Sequence, residues 1–266
     1  MQNGSQNLLL DVYQPDGDCT APRPFVVGIH GGGFTSGSRT QSNWVNIMNE
    51  VTDRGFVGLS IDYRLVGDQP LVSAEFQPVL DDFNATATAM GIAADRDVLN
   101  AATAAFEDTV TALRWAVENA DERCLDRDRF ALWGSSAGAV TALHVGHGLD
   151  EYSINRPNPL VVVDYWGRML LRGQIDAGGP PMFILHGTND GTVSFNEAVI
   201  LESEATTVGL PFSFYTMQDG PHGFGAISTA NYRINGQAPL AVTLDFVAAH
   251  LQGTGPLYET QTIPRN

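Results

Sequence analysis

The sequence predicts an α/β domain in which a mostly parallel central sheet carries helices on both faces. Short apolar runs typical of buried strands alternate along the chain with segments whose apolar residues have helical spacing. Strands that alternate with helices pair in parallel, through right-handed crossover connections. A length of 266 residues lets one such domain bury a sizeable core without metals or disulfides. We therefore predict a single domain over residues 1–266.

The individual elements follow from the apolar pattern. Runs rich in aliphatic and aromatic residues predict strands at 8–13, 25–30, 56–63, 129–133, 160–166, 182–186 and 212–217. Helices are predicted at about 43–54, 102–120, 136–147, 195–208 and 238–251. In the second of these helices, Phe106, Val110 and Leu113 lie on one stripe, so this helix is expected to pack on the sheet.

Residues 66–100 interrupt the alternation of strands and helices. This stretch is too long for a simple loop and carries apolar residues without a clear strand. We interpret it as a short insertion of small helices near the mouth of the site, where it would act as a partial lid. The alternative is a surface excursion without a role, and the position of the stretch after a strand end favours the lid.

A Gly-Ser-Ser-Ala-Gly segment at 134–138 joins the strand 129–133 to a predicted helix. Gly-x-Ser-x-Gly at a strand-to-helix turn is the pattern of a nucleophile elbow, because so tight a turn tolerates only small neighbours. The turn would present the hydroxyl of Ser136 above the sheet edge and aim the backbone N–H of Ala137 at the same spot. Ser135 is the competing serine, but only Ser136 has glycine two residues away on both sides.

Three successive glycines follow the strand 25–30, in the segment His-Gly-Gly-Gly-Phe. Glycine lets the backbone pass close to a ligand with its N–H groups pointing inward. Such fixed donors suit a carbonyl oxygen on which negative charge develops. We therefore predict an oxyanion hole formed by the N–H groups of Gly32, Gly33 and Ala137. His30 is expected to brace this loop.

Asp190 and His222 complete the candidate catalytic set. Asp190 closes a His-Gly-Thr-Asn-Asp turn after the strand 182–186, and His222 lies in Gly-Pro-His-Gly-Phe after the last predicted strand. Turns after parallel strands open at one edge of a sheet, so these two side chains and Ser136 should converge there. The order Ser, Asp, His distinguishes one serine hydrolase arrangement from two others. Asp164 is the alternative acid. Asp190 is the better candidate, because it lies in the His-Gly-Thr-Asn-Asp turn that follows a strand.

These motifs make the sequence resemble the α/β-hydrolases of the esterase and lipase group, near the hormone-sensitive-lipase-like and bacterial feruloyl-esterase-like carboxylesterases. The resemblance covers residue 8 to about residue 252. Ser-Ile-Asp-Tyr-Arg-Leu at 60–65 is similar to a strand end of that family, and residues 108–115 are similar to the helix before its serine strand. The chain departs from the first group at Ser135, where that group usually has Asp.

The resemblance implies a serine carboxylic ester hydrolase that acts on small or aromatic esters through an acyl-enzyme. Feruloyl, acetyl-sugar and polyester-like substrates all fit this expectation. The partner would be a small-molecule ester, and the reaction would need no cofactor and no metal. A serine peptidase of the prolyl-oligopeptidase class is the alternative, although that class usually carries a gating domain. A non-enzymatic binding protein is a further alternative, although such a relative would usually lack Ser136, Asp190 or His222.

Position alone suggests which side chains line the substrate pocket. Phe34 follows the glycine loop, Tyr165 and Trp166 end a strand at the same edge, and Phe224 follows the candidate base. Aromatic walls suit aryl or aliphatic acyl chains. Ser135 is added because it neighbours the nucleophile. For Tyr165 and Phe224 a place in the core is an equal alternative.

The resemblance also suggests a disulfide. In this fold, the strand after Cys19 and the strand after Cys124 are parallel neighbours, so both cysteines should lie at the edge of the sheet opposite the site. A disulfide there would imply an oxidising compartment. We therefore expect a secreted or periplasmic protein whose leader has been removed. Two unpaired thiols in a cytoplasmic protein are the alternative.

Charge and hydropathy exclude other classes of partner. The formal net charge of −16 argues against electrostatic binding of nucleic acid or anionic membranes. No apolar run reaches membrane-spanning length. His144 and His147 are expected to be surface or packing residues rather than metal ligands. Four charged residues are expected to form a structural ion-pair set beneath the site: Asp62, Arg64, Asp108 and Arg114.

Overall fold

The central sheet of the computed structural model confirms the predicted fold class. The structure describes residues 7–89, 95–223, 231–255 and 257–265. Its sheet has eight strands in the order β1-β3-β2-β4-β5-β6-β7-β8. Only the pairing of β1 with β3 is antiparallel. The strands are β1 Leu10–Tyr13, β2 Arg23–Ile29, β3 Val57–Ile61, β4 Leu125–Ser135, β5 Val161–Tyr165, β6 Met182–Gly187, β7 Phe212–Met217 and β8 Thr260–Ile263.

Helices cover both faces of the sheet. They are α1 Ser42–Asp53, α2 Gln77–Ala89, α3 Arg96–Glu118, α4 Ala120–Arg123, α5 Ala137–Leu143, α6 Phe195–Val208 and α7 Pro239–Gln252. On one face, α1 and α7 bury side chains such as Trp44 and Val247. On the other face, α2, α3, α5 and α6 bury Phe83, Phe106 and Leu201. The sheet is thus shielded from water on both sides, as a parallel sheet requires.

The stretch 66–100 contains one 3-10 turn at Val66–Asp68 and the 13-residue helix α2, and its last residues begin α3. The edge of the Phe83 ring packs against Phe106, with ring centroids 5.6 Å apart. Residues 90–94 of the stretch lie outside the described residues. The apolar face of α2 is packed in the core, and the role of the stretch as a partial lid stays a prediction. The buried side chains of α2 are Val79, Leu80, Phe83 and Ala87.

The predicted disulfide is present between Cys19 and Cys124, whose Cα atoms lie 5.8 Å apart. Cys19 precedes β2, and Cys124 directly precedes β4. These two strands are parallel neighbours, with Arg23 opposite Leu125. The disulfide therefore lies where the two strands start, at the edge of the sheet away from the serine turn.

The four residues predicted to form one ion-pair set divide into separate pairs. The Arg64 guanidinium lies 2.8 Å from Asp108 and also contacts Glu107. Asp62 and Arg114 instead pair with residues outside the predicted set. The pairs are Arg64–Asp108, Asp62–Arg39 and Arg114–Glu75.

Candidate active site

Ser136 occupies a sharp turn between β4 and α5. Its backbone has φ 54° and ψ −119°, a conformation that L-residues rarely adopt. No larger residue fits at Gly134 or Gly138. A Cβ on Gly134 would lie 2.0 Å from the Gly138 carbonyl oxygen, and a Cβ on Gly138 would lie 2.0 Å from the Ile29 carbonyl oxygen. The Ser136 N–H donates to the Tyr165 carbonyl at 2.9 Å, which ties the turn to the end of β5.

Ser136, His222 and Asp190 form a continuous hydrogen-bonded chain. The Ser136 Oγ lies 2.9 Å from Nε2 of His222, although the two residues are 86 positions apart. The His222 Nδ1 lies 2.7 Å from Oδ2 of Asp190. With Nδ1–H donating to the carboxylate, Nε2 is left as the acceptor for the serine hydroxyl. The structure thus brings together all three residues predicted to react.

The Asp190 carboxylate is held from its other side. Its Oδ1 accepts hydrogen bonds from the N–H groups of Thr192 and Val193, at 2.8 and 2.9 Å, and its side chain is fully buried. His186 Nε2 lies 2.9 Å from the Val193 carbonyl and 3.3 Å from Oδ2 of Asp190. Burial lowers the pKa of His186, so the ring stays neutral and donates within the turn. His186 thus braces the turn that carries Asp190.

The glycine loop needs glycine at the positions predicted for the oxyanion hole. Gly32 and Gly33 have φ values of +117° and +61°, and a Cβ on Gly32 would lie 1.9 Å from the Ser36 carbonyl oxygen. Ala137, the third predicted donor, is the first residue of α5. The N–H groups of a helix's first turn have no acceptor within the helix, so that of Ala137 can serve a ligand.

His30 and Tyr63 support the glycine loop through hydrogen bonds and ring stacking. His30 is buried, and its Nδ1 donates to the Gly31 carbonyl at 2.7 Å. Burial lowers the pKa of His30, which keeps the imidazole uncharged. The Tyr63 ring stacks on it with centroids 4.2 Å apart, and the Tyr63 hydroxyl donates to the His30 carbonyl. The sequence pattern did not indicate this role for Tyr63, although the residue lies within the strand-end motif at 60–65.

The predicted pocket residues lie in different places. Trp166 presents an edge contact to His222, with ring centroids 6.3 Å apart. Phe34 is buried beside Tyr63, and Ser135 is also buried, at the end of β4. The Tyr165 side chain lies in the core instead: it is fully buried and its hydroxyl pairs with Thr243 of α7 at 2.5 Å. Phe224 lies outside the described residues.

The remaining polar candidates do not join the hydrogen-bonded chain of Ser136, His222 and Asp190. Asp164 is fully buried and its Oδ1 accepts from the Gly167 N–H at 2.7 Å, so it does not serve as the partner of the imidazole. His144 is buried and bonded to the Val140 carbonyl, and burial lowers its pKa to about 4. Among the described residues, no group of three or more His, Cys, Asp or Glu side chains could hold a metal ion.

Two family models match separate parts of the chain. The BD-FAE family model matches residues 10–87. A second family model, described as alpha/beta hydrolase fold, matches residues 98–167. The search among curated proteins found no match. No helix among the described residues is long and apolar enough to cross a membrane.

Solved structures extend the similarity over nearly the whole chain. Esterase 2 of Thermogutta terrifontis with bound propionate matches with a TM-score of 0.66 and 21% identity, covering 93% of this chain and 90% of that one. The same esterase phosphorylated by paraoxon matches with a TM-score of 0.66, 21% identity and coverage of 93% and 89%. A truncated carbohydrate esterase from gut microbiota matches with a TM-score of 0.64, 16% identity and coverage of 91% and 90%. The chain has the α/β-hydrolase fold.

Proposed function

We propose that this protein is a serine carboxylic ester hydrolase. The observation that carries the proposal is the hydrogen-bonded chain from Ser136 through His222 to Asp190, next to a glycine loop with positive φ values. Ser136 would attack an ester carbonyl while His222 takes its proton as general base. The leaving alcohol would then receive that proton, and water would hydrolyse the acyl-enzyme by the same route. Asp190 would hold the imidazole tautomer and stabilise its charged form.

The negative charge of the tetrahedral intermediate needs fixed donors. Gly32, Gly33 and Ala137 are suited to this role, because the glycine loop and the start of α5 flank the serine turn. Loss of one such donor typically lowers the rate by about 10²–10³-fold. The loop is braced by buried, uncharged groups, so its amides need little reorganisation when charge develops.

Esters with small or aromatic acyl groups are the substrates we propose. Trp166 and Phe34 are bulky aromatic side chains that lie beside the candidate base and directly after the glycine loop. Short-chain acids are bound in the Thermogutta esterase structures, and one of the other matches is a carbohydrate esterase. Acetyl and feruloyl esters of sugars are therefore the first natural substrates to test. The disulfide supports activity in an oxidising compartment outside the cytoplasm.

Hydrolysis of a substrate panel tests this proposal. The panel contains nitrophenyl esters of rising chain length, methyl ferulate and an aminoacyl-anilide. We expect turnover of the shortest nitrophenyl esters, and a loss of at least about 10³-fold in Ser136→Ala with the fold retained. Ser203→Ala, an exposed serine on α6, is the matched control and should keep full activity. Cleavage of the anilide alone would point to a peptidase, and no turnover of any substrate would refute an enzymatic role.

A further inference from the structure

The short turn after β5 contains an unusual backbone conformation. Trp166 has φ 48°, in the left-handed region that large side chains avoid. Such a conformation persists only where neighbouring contacts impose it. The residue sits at the carboxyl end of a parallel strand, at the same edge of the sheet as Ser136 and His222.

Asp164 is the side chain that closes this turn. Its Oδ1 accepts a hydrogen bond of 2.7 Å from the Gly167 N–H, three residues further along. Gly167 leaves no room for another residue, since a Cβ there would lie 2.5 Å from the Ala139 Cβ. From the other side, the Trp166 N–H donates to the Leu185 carbonyl at 2.9 Å. The turn is therefore fixed by a buried carboxylate, by α5 and by β6.

This turn contacts two members of the candidate catalytic chain. Its Tyr165 carbonyl accepts the Ser136 N–H at 2.9 Å. The Trp166 indole lies edge-on to the imidazole of His222, with an interplanar angle of 72°. The His222 ring turns about its Cα–Cβ and Cβ–Cγ bonds, and the hydrogen bond from Nδ1 to Asp190 does not by itself fix both torsions. An aromatic ring packed beside the imidazole would restrict these torsions and favour the orientation in which Nε2 faces the Ser136 hydroxyl.

We propose that Asp164 is a positioning residue that acts through Trp166 on the orientation of His222. The inference rests on the proposed esterase function. Asp164 does not touch the reacting atoms; it holds the left-handed turn that sets the indole against the imidazole. Loss of the Oδ1 acceptor would release the turn, and His222 would spend less time in the orientation that accepts the serine proton.

A double-mutant cycle in kcat tests this coupling, with the best nitrophenyl ester of the panel as substrate. We expect Asp164→Ala and Trp166→Gly each to lower kcat by about 10-fold, with KM for Asp164→Ala within about 2-fold of the parent. The double variant should be no slower than the worse single one. Asp164→Asn keeps an Oδ1 acceptor and should restore most of kcat. Asp176→Ala removes a comparable bond to the Gly178 N–H at an exposed turn and serves as the control.

A second readout does not depend on turnover. The NMR signals of the His222 imidazole should carry a ring-current shift from Trp166, which Asp164→Ala loses and Asp164→Asn keeps. Additive effects on kcat, equal losses in the Asn and Ala variants, or unchanged His222 signals in Asp164→Ala would overturn the inference. If the parent hydrolyses no ester, the proposed function fails, and the imidazole signals alone decide the role of Asp164.

Discussion

Asp164 shows how strongly a single buried group responds to its surroundings. One carboxylate oxygen accepts the Gly167 N–H, while the other has no hydrogen-bond partner among the described residues. Burial raises the pKa of Asp164 to about 7. The folded protein therefore keeps a proton on this group that the unfolded chain releases near pH 4.

The pH dependence of stability should report this burial. From about pH 4 to pH 7, the unfolded state ionises Asp164 more readily than the folded state does, so its stabilising contribution falls as the pH rises. Each unit of pKa difference corresponds to about 1.4 kcal/mol. Asp164→Asn cannot ionise, so its free energy of unfolding minus that of the parent should increase across this window and level off above it. Urea denaturation at pH 4, 5.5, 7 and 8 measures the difference, and a constant difference would contradict the burial argument.

At the residue level, the sequence predicted which three side chains meet in the candidate site better than it predicted their surroundings. Ser136, Asp190 and His222 were found because each follows a strand in a turn of recognisable composition. The sequence did not show whether the Tyr165 side chain faces the core or the site, because both faces of the sheet are buried and the apolar pattern of β5 does not alternate. The left-handed turn at Trp166 could not be predicted from the local sequence, because it depends on contacts with α5 and β6.

At the level of elements, β2 and β4 connect the disulfide to the site. Cys19 and Cys124 join the two strands where they begin, and the same strands end at the glycine loop and at the serine turn. Parallel pairing from Phe25 opposite Phe130 to Ile29 opposite Gly134 links the two ends. The disulfide thus constrains the pair of strands that presents both Ser136 and the proposed oxyanion donors.

Breaking the disulfide should lower stability more than activity. The bond closes a loop with a sequence separation of 105 residues, and removal of a native disulfide typically costs about 2–5 kcal/mol. We expect Cys124→Ser to lower the free energy of unfolding within that range and to keep most of the turnover at a temperature where it remains folded. Urea denaturation with and without dithiothreitol measures the effect. The reductant should change the parent alone; an equal effect on Cys124→Ser would show that the bond is not responsible.

Two elements have a weak local signal in the sequence. β8, Thr260–Ile263, was not predicted, because it buries only its last residue and its polar edge-strand sequence carries no apolar run. Small helices were predicted within 66–100, but not the bounds of α2, because Asp, Asn and Thr dilute its apolar positions. By contrast, Phe195–Val208 and Phe212–Met217 were predicted with their observed bounds, because a serine N-cap and a glycine C-cap delimit the helix and an apolar run forms the strand.

At the scale of the whole molecule, topology assembles the site. Parallel strands bring their carboxyl ends to one edge, so turns far apart in sequence become neighbours there. The fold class could be predicted from the alternation of strands and helices, which is a global feature. The substrate could not, because pocket shape depends on side-chain packing among distant segments.

Covalent labelling of the nucleophile tests the central claim most directly. We expect a fluorophosphonate to add once per chain, and tandem mass spectrometry of the tryptic peptide from 130 to 168 to place the adduct on Ser136 rather than Ser135. The His222→Ala variant should label at least about 10²-fold more slowly, because the serine then lacks its general base. Absence of an adduct under excess reagent, or an adduct on any other residue, would contradict the account.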